Sequence, residues 1–389
     1  MADLQGYNIN SIIGTNKVKP AVFLLLMFLL TRITLVVVGV ASIAYLPMIT
    51  GEEYRHIDTG PVLDMWYRWD AGFYTSIALY GYQWATFHKP SADMAFLPVY
   101  PLSIRGLNYI FGCSQISCTL VSGLLVSNIA LLVSVYLLFQ IVENYGGSAT
   151  AYRSVGLLLL SPISVFFSGC YTEALFLCLS LLVFQALQKE RFGTAVLVAS
   201  LACLTRLVGL SLYLPLLLYS WRQPGRLRIT RLLLSHVPLI VFVVYIAYMG
   251  LVTGNVLAYF NANSQIWERS VISKPWEVFT VYFSGENVSL WGWKLSWIDW
   301  FSALFYLFLA VVTLTRNLGA GVFALPAILI PIFSGTLVSM PRYGAVLFPF
   351  YWVVAEWANQ RWKQVLVYSV SFLLLILFTA RFTTWHWIA

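Results

Sequence analysis

Charge is what this chain has least of: Asp, Glu, Lys and Arg make up 10% of its 389 residues, while apolar types make up 60%. Soluble domains carry roughly 25% charged residues, so the shortage excludes an ordinary water-soluble domain and leaves a polytopic membrane protein. Metal-ligand patterns are missing too. His56, His88, His236 and His386 have no zinc spacing, and Cys113, Cys118, Cys170, Cys178 and Cys203 form no ligand set. Neither HExxH nor a glycine-rich phosphate loop occurs, which argues against a donor activated by a cytosolic nucleotide. No cleavable leader is expected, because a mostly polar N-terminal stretch precedes an apolar run longer than a leader core. Low-complexity segments are absent, and so is the inverted repeat of broken helices that points to a secondary transporter. The net charge of +8 therefore reads as topology and contact with anionic headgroups, not as nucleic-acid binding.

What is present is hydrophobic length. A spanning helix needs about 20 mainly apolar residues. By that measure spans fall near 21–46, 117–142, 154–168, 171–187, 192–204, 207–221, 232–252, 301–315, 318–338, 344–358 and 364–380. The reading is an all-α membrane protein with about eleven transmembrane helices, forming one domain over 1–389. Two long polar segments interrupt it, at 47–95 and 253–300. Segment 96–111 is apolar but carries Pro98, Pro101 and Arg105, and reads as re-entrant or interfacial. With the N-terminus in the cytoplasm, inner loops collect Lys17, Lys19, Arg153, Lys189, Arg191, Arg361, Lys363 and the Arg-rich stretch WRQPGRLRITR, with few acids. That asymmetry is the positive-inside pattern. It sends both long loops, Tyr171–Glu173, Arg206 and Arg342 to the outer face.

Asp70 leads the candidates. Trp66, Trp69, Phe73, Ile77 and Tyr80 recur at helical spacing, which predicts an interfacial amphipathic helix over 66–82. A carboxylate at that boundary can serve as a base towards a hydroxyl; the plainer alternative is a loop acid satisfied by Arg68. Arg206 and Arg342 each close a span on the same face. Arg at a helix end often only snorkels, but two together suit a lipid phosphate, which guanidinium groups bind bidentately. Glu173 begins a helix and could merely complement its dipole. Arg32 lies mid-span and is either functional or part of an internal ion pair. Gln265 and Trp267 could hold a sugar by hydrogen bond and stacking, and Arg68, Trp69, Tyr171 and Tyr343 complete the expected substrate-binding set. Cys113 and Cys118 could pair in an oxidising compartment, and Asn287-Val288-Ser289 is a glycosylation sequon.

Several stretches also carry a family resemblance. RWDAGFYTSIALYGY with AFLPVYPL (68–102), SPISVFFSGCYTEALFLCLSL (161–181), LTRLVGLSLYLPLLL (204–218), GNVLAYFNANSQIW (254–267) and MPRYGAVLFPF (340–350) resemble, in order, the blocks of the PIG-V family. That family is the GPI mannosyltransferase 2 group of the GT-C membrane glycosyltransferases. The resemblance implies a GT-C fold, a polyprenyl- or dolichyl-phosphate-linked mannose donor, and catalysis on the extracytoplasmic face with Asp70 as base. One departure is that the family often has an acid after the Gly-Tyr step, where this chain has Gln83-Trp84-Ala85. The length suits a prokaryotic relative, which bears on the acceptor more than on the donor.

The expected function is thus an inverting mannosyltransferase acting on a glycolipid or glycan hydroxyl. No cofactor is obligatory for it, and a divalent metal is not indicated. Its membrane would be the plasma membrane in a prokaryote or the endoplasmic reticulum in a eukaryote. The rival readings are a lipid transporter or flippase without catalysis and a non-catalytic subunit of a membrane complex.

Overall fold

A computed structural model describes residues 20–50, 56–82, 91–269, 273–284 and 288–388. Lys17, Lys19, His88, the Gln83-Trp84-Ala85 departure and Asn287 lie outside the described residues. Among the described residues the structure is helical, apart from an isolated bridge between Ser289 and Ser296.

Helix α1 (Pro20–Tyr45) is followed by two short helices, α2 (Pro61–Asp64) and α3 (Ala71–Tyr80), and by α4 (Val99–Phe111). Next come α5 (Ile116–Leu159), the short α6 (Ser164–Ser168), α7 (Glu173–Gln188) and α8 (Phe192–Cys203). A 3₁₀ turn (Leu207–Leu212) leads into α9 (Tyr213–Trp221), then α10 (Gly225–Ser235), α11 (Val237–Thr253) and α12 (Ala258–Gln265). After α13 (Glu277–Thr280) the chain finishes with α14 (Trp297–Arg316), α15 (Leu318–Phe333), α16 (Met340–Ala345), α17 (Phe348–Trp357) and α18 (Arg361–Thr383).

Five stretches are long and apolar enough to cross a membrane: α1, α5, α10 with α11, α14 and α18. Shorter apolar helices, α7, α8, α15 and the turn with α9, pack among them. The buried face of α7 is almost continuous, with Phe176, Leu177, Leu181 and Val183 near zero exposure, so it is a central helix. By contrast, α1 and α18 show many large apolar side chains outward, as lipid-facing helices do. The chain is an integral membrane protein.

Two local expectations change. Segment 143–153, expected as a loop, is helical. The break inside α5 is confined to Gly147, whose φ of 76° and ψ of 167° lie outside the helical region. Glycine takes that conformation without a Cβ clash. Segment 96–111, expected as a re-entrant or interfacial helix, holds α4, with Pro98 at its N-cap. Proline there removes a donor that the first turn does not use, and Arg105 turns to cap α3, donating to the Ala78 carbonyl at 2.8 Å. Lastly, the predicted helix over 66–82 begins only at Ala71.

Of the two readings of Arg32, the internal ion pair is not what forms. Arg32 meets no carboxylate among the described residues. Its guanidinium donates to Ser164 Oγ and Ser168 Oγ at 2.7 Å each, to Leu159 O at 3.2 Å and to Ser164 O at 3.4 Å. It thereby caps the end of α5 and stitches α6 to α1.

Candidate active site

The site forms where α3, α7, α8 and α16 meet at one end of the bundle. Chain geometry around Asp70 explains its placement. Pro61 starts α2, Trp69 takes a left-handed φ of 50°, and α3 begins at Ala71. A non-glycine residue at positive φ is uncommon and is sustained by its surroundings. Here Trp69 is surrounded by tryptophans: its ring stacks on Trp293 at 6.0 Å and meets Trp385 and Trp387 edge-on at 5.3 Å each. The reversal leaves Asp70 at the N-cap of α3 with no capping bond of its own.

Arg68, expected to touch substrate, is corrected by the structure. It is fully buried beneath this reversal. Its guanidinium donates to Asp64 Oδ2 at 2.7 Å, Asp64 O at 2.6 Å, Tyr67 O at 3.2 Å and Thr383 O at 3.0 Å. Nor does it satisfy Asp70. Burial pushes the Asp64 carboxyl up, but Arg68, the Ile57 N–H and His56 outweigh this and hold it below its ordinary value. Arg68 is a structural plug.

Asp70 pairs instead with Arg342, 2.9 Å from Nη2 to Oδ2. Arg342 Nε donates to Glu173 Oε1 at 2.7 Å, and the same oxygen accepts from Arg206 Nη1 at 2.8 Å. Arg206 Nη1 also reaches Thr172 Oγ1 at 3.0 Å. Residues from four separate elements thus share one chain of charge: Asp70, Arg342, Glu173, Arg206. Glu173 is wholly buried and its Oε2 has no hydrogen-bond partner. The Asp70 side chain keeps 19% exposure, so the network is closed on one side and open on the other.

Aromatic rings wall the network. Arg342 lies over Phe166 at 4.7 Å and Tyr171 at 5.0 Å. The ring of Tyr343 sits between Arg206 and Arg269, 5.2 Å from each, distances suited to cation–π contact. Tyr171 faces inward and donates its hydroxyl to the Arg68 carbonyl at 2.7 Å. The turn bearing Arg206 depends on Gly209, where a Cβ would collide with the backbone of Ala202.

Of the expected residues, Asp70, Arg206, Arg342, Glu173, Tyr171, Trp69 and Tyr343 come together. Trp267 joins the rim, half-buried edge-on to Phe73 at 5.8 Å and Phe96 at 5.9 Å. Gln265 is exposed near the end of α12, in none of these contacts. Sequence reasoning missed Asp64, Arg269 and the tryptophans at 293, 385 and 387. The last three fall in two separate Trp-rich stretches, WGW and WHW, which was the available signal. Among the described residues no three His, Cys, Asp or Glu gather as a metal site.

Comparison with known proteins decides the family. The model of Mannosyltransferase (PIG-V) matches residues 18–218, more than half of the chain. The chain belongs to the PIG-V mannosyltransferase family. Among solved structures, ArnT from Cupriavidus metallidurans bound to undecaprenyl phosphate aligns with a TM-score of 0.50 at 17% identity, over 87% of this chain and 62% of ArnT. That likeness shows the fold, which is of the GT-C type. The Archaeoglobus fulgidus oligosaccharyltransferase aligns with a TM-score of 0.45 at 9% identity, over 90% of this chain and 55% of its own length. The chain therefore spans less than two thirds of these solved relatives. No curated protein matches it.

Proposed function

We propose that the protein moves a mannosyl unit from a polyprenyl- or dolichyl-phosphate carrier to a hydroxyl of a lipid-linked or glycan acceptor, with inversion at the anomeric carbon. One observation carries this reading: a partly open carboxylate, Asp70, lies 2.9 Å from a buried guanidinium that is linked to a second through Glu173. In it Asp70 takes the proton of the acceptor hydroxyl. The acceptor oxygen forms its bond to the anomeric carbon as the bond to phosphate oxygen breaks, and the electron pair leaves on the phosphate. Arg206 and Arg342 hold that growing negative charge, the kind of electrostatic assistance that usually contributes most in such sites. A lipid phosphate is already a competent leaving group, so the step balances without a further reactant. Crystallisation of ArnT with undecaprenyl phosphate supports a lipid phosphate as the ligand.

The same end of the bundle supports an assignment of sidedness. α4 rises from the site, tied to α5 through Tyr100 and Ser127 at 2.7 Å and through Asn108 and Thr119 at 2.9 Å. Beyond it, Cys113 and Cys118 are joined as a disulfide, a bond typical of oxidising compartments. The Arg-rich loops lie at the other end. Both favour an extracytoplasmic site and a cytoplasmic N-terminus, in a plasma membrane or the endoplasmic reticulum according to host. A transporter reading relied on Arg32, and its Nη1 and Nη2 are engaged by serines and carbonyls of neighbouring segments.

The test is direct. Purified protein is incubated with labelled polyprenyl-phosphate-mannose and candidate acceptors, and product mass is measured. Wild type should form a mannosylated product and Asp70→Asn should not, with its melting unchanged. Near-normal turnover by that variant would overturn the assignment of the base.

A further inference from the structure

The charge network is neutral as it stands: Asp70 and Glu173 balance Arg206 and Arg342. Its two acids are not equivalent. Glu173 is fully buried, and one of its oxygens serves both guanidiniums. Asp70 keeps 19% side-chain exposure and holds a single ion pair, to Arg342. The two cations differ as well. Among the described residues Arg206 hydrogen-bonds only through Nη1, which leaves part of its fork free. Arg342 has Nε committed to Glu173 and Nη2 to Asp70.

An arriving phosphate therefore finds one half-free guanidinium and one whose Nη1 alone is uncommitted among the described residues. To be held bidentately along the Nη1–Nη2 edge of Arg342, it must compete with Asp70 for Nη2, because Glu173 is buried and doubly anchored. Resting on the function proposed above, we infer that Asp70 and the donor phosphate are alternative partners of Arg342, so that donor binding releases the base. Arg342 is then the residue that couples binding to activation. While paired, Asp70 Oδ2 is occupied by Arg342 Nη2 at 2.9 Å. With the phosphate in place that donor is withdrawn, and the oxygen is open to an acceptor hydroxyl. An acceptor hydroxyl is thus activated only when a donor is present to receive it.

Competition has a signature opposite to that of a lost contact. Removing the charge of Asp70 should tighten binding of the phosphate. The experiment titrates undecaprenyl phosphate, with the phosphate-free polyprenol as control, into wild type, Asp70→Asn and Asp70→Glu in detergent, following tryptophan fluorescence. Asp70→Asn is expected to bind the lipid phosphate about tenfold more tightly than wild type, and Asp70→Glu to stay near wild type. Equal or weaker binding by Asp70→Asn overturns the inference while leaving a lipid-phosphate site standing. Wild type that does not prefer the phosphate over the polyprenol overturns the function reading itself. Should Asp70→Asn fail to fold, infrared difference spectra of wild type serve instead. Adding the lipid phosphate should then shift a carboxylate stretch, and an unperturbed carboxylate region would refute the exchange.

Discussion

Tyr171 donates its buried hydroxyl to the backbone carbonyl of Arg68 at 2.7 Å, across 103 positions of sequence. The bond ties the turn before α7, which delivers Thr172 and Glu173, to the reversal that delivers Asp70. Tyr171→Phe should therefore damage alignment more than folding. Loss of the bond leaves the Arg68 carbonyl with the Ala71 N–H at 3.1 Å as its remaining donor, at a cost of about 0.5–1.5 kcal/mol. Turnover should fall with little change in the apparent KM for donor, as steady-state transfer assays would show; a change in KM alone would contradict the positioning role.

Arg342 and Arg206 should differ under the same conservative change. Arg342 bridges two carboxylates through separate nitrogens, which an ammonium cannot do with the same geometry. Arg342→Lys should lower kcat/KM by roughly a hundredfold, and Arg206→Lys by clearly less. Equal losses would mean that charge alone matters at both positions.

The plug below the site should govern acid stability. Asp64 titrates below its ordinary 3.8 in the folded protein, so its pairing with Arg68 contributes fully above that value and is lost as pH falls through the folded one. Thermal melts of wild type in detergent should therefore drop between about pH 5 and pH 3. Asp64→Asn should melt lower at pH 5 by an amount equivalent to about 3–5 kcal/mol, because it strands a buried guanidinium. Its melting should also be flatter over the same interval.

Arg32→Met tests the clamp between α1 and α6. Four hydrogen bonds vanish, yet none of them reaches Asp70, Glu173 or the two site arginines. A lower melting temperature with unchanged KM in the surviving enzyme is expected. Loss of donor affinity at unchanged melting would instead restore Arg32 as a functional residue.

Much of the site was legible in the sequence because ionisable residues are so costly in a membrane that each one stands out. Asp70, Arg206, Arg342 and Glu173 could be picked out for that reason, and span alternation alone put them on one face. Their pairing could not be read. Nothing local says that Asp70 chooses Arg342 over Arg68 two residues away; that follows from Asp64, which takes Arg68 first. Periodicity misled at 66–82, where aromatic spacing imitates a helix but Trp69 reverses the chain. At 143–153 polar side chains suggested a loop, while the backbone stays helical on both sides of Gly147. The tryptophan shell showed only as the WGW and WHW stretches, and its place around Trp69 could not be read because its members lie more than 200 positions from Asp70.

The grip of Thr383 on Arg68 and of Trp385 and Trp387 on Trp69 has a consequence for biogenesis. The hydrogen bond alone spans 315 positions, so the reversal that presents Asp70 cannot be fixed while the chain is still being inserted. Long-range closure of this kind comes late in assembly. The segment that carries Asp70 emerges early and waits, and its acid is set only when α18 has entered the membrane. A half-made protein would carry the family's signature motif and no working site.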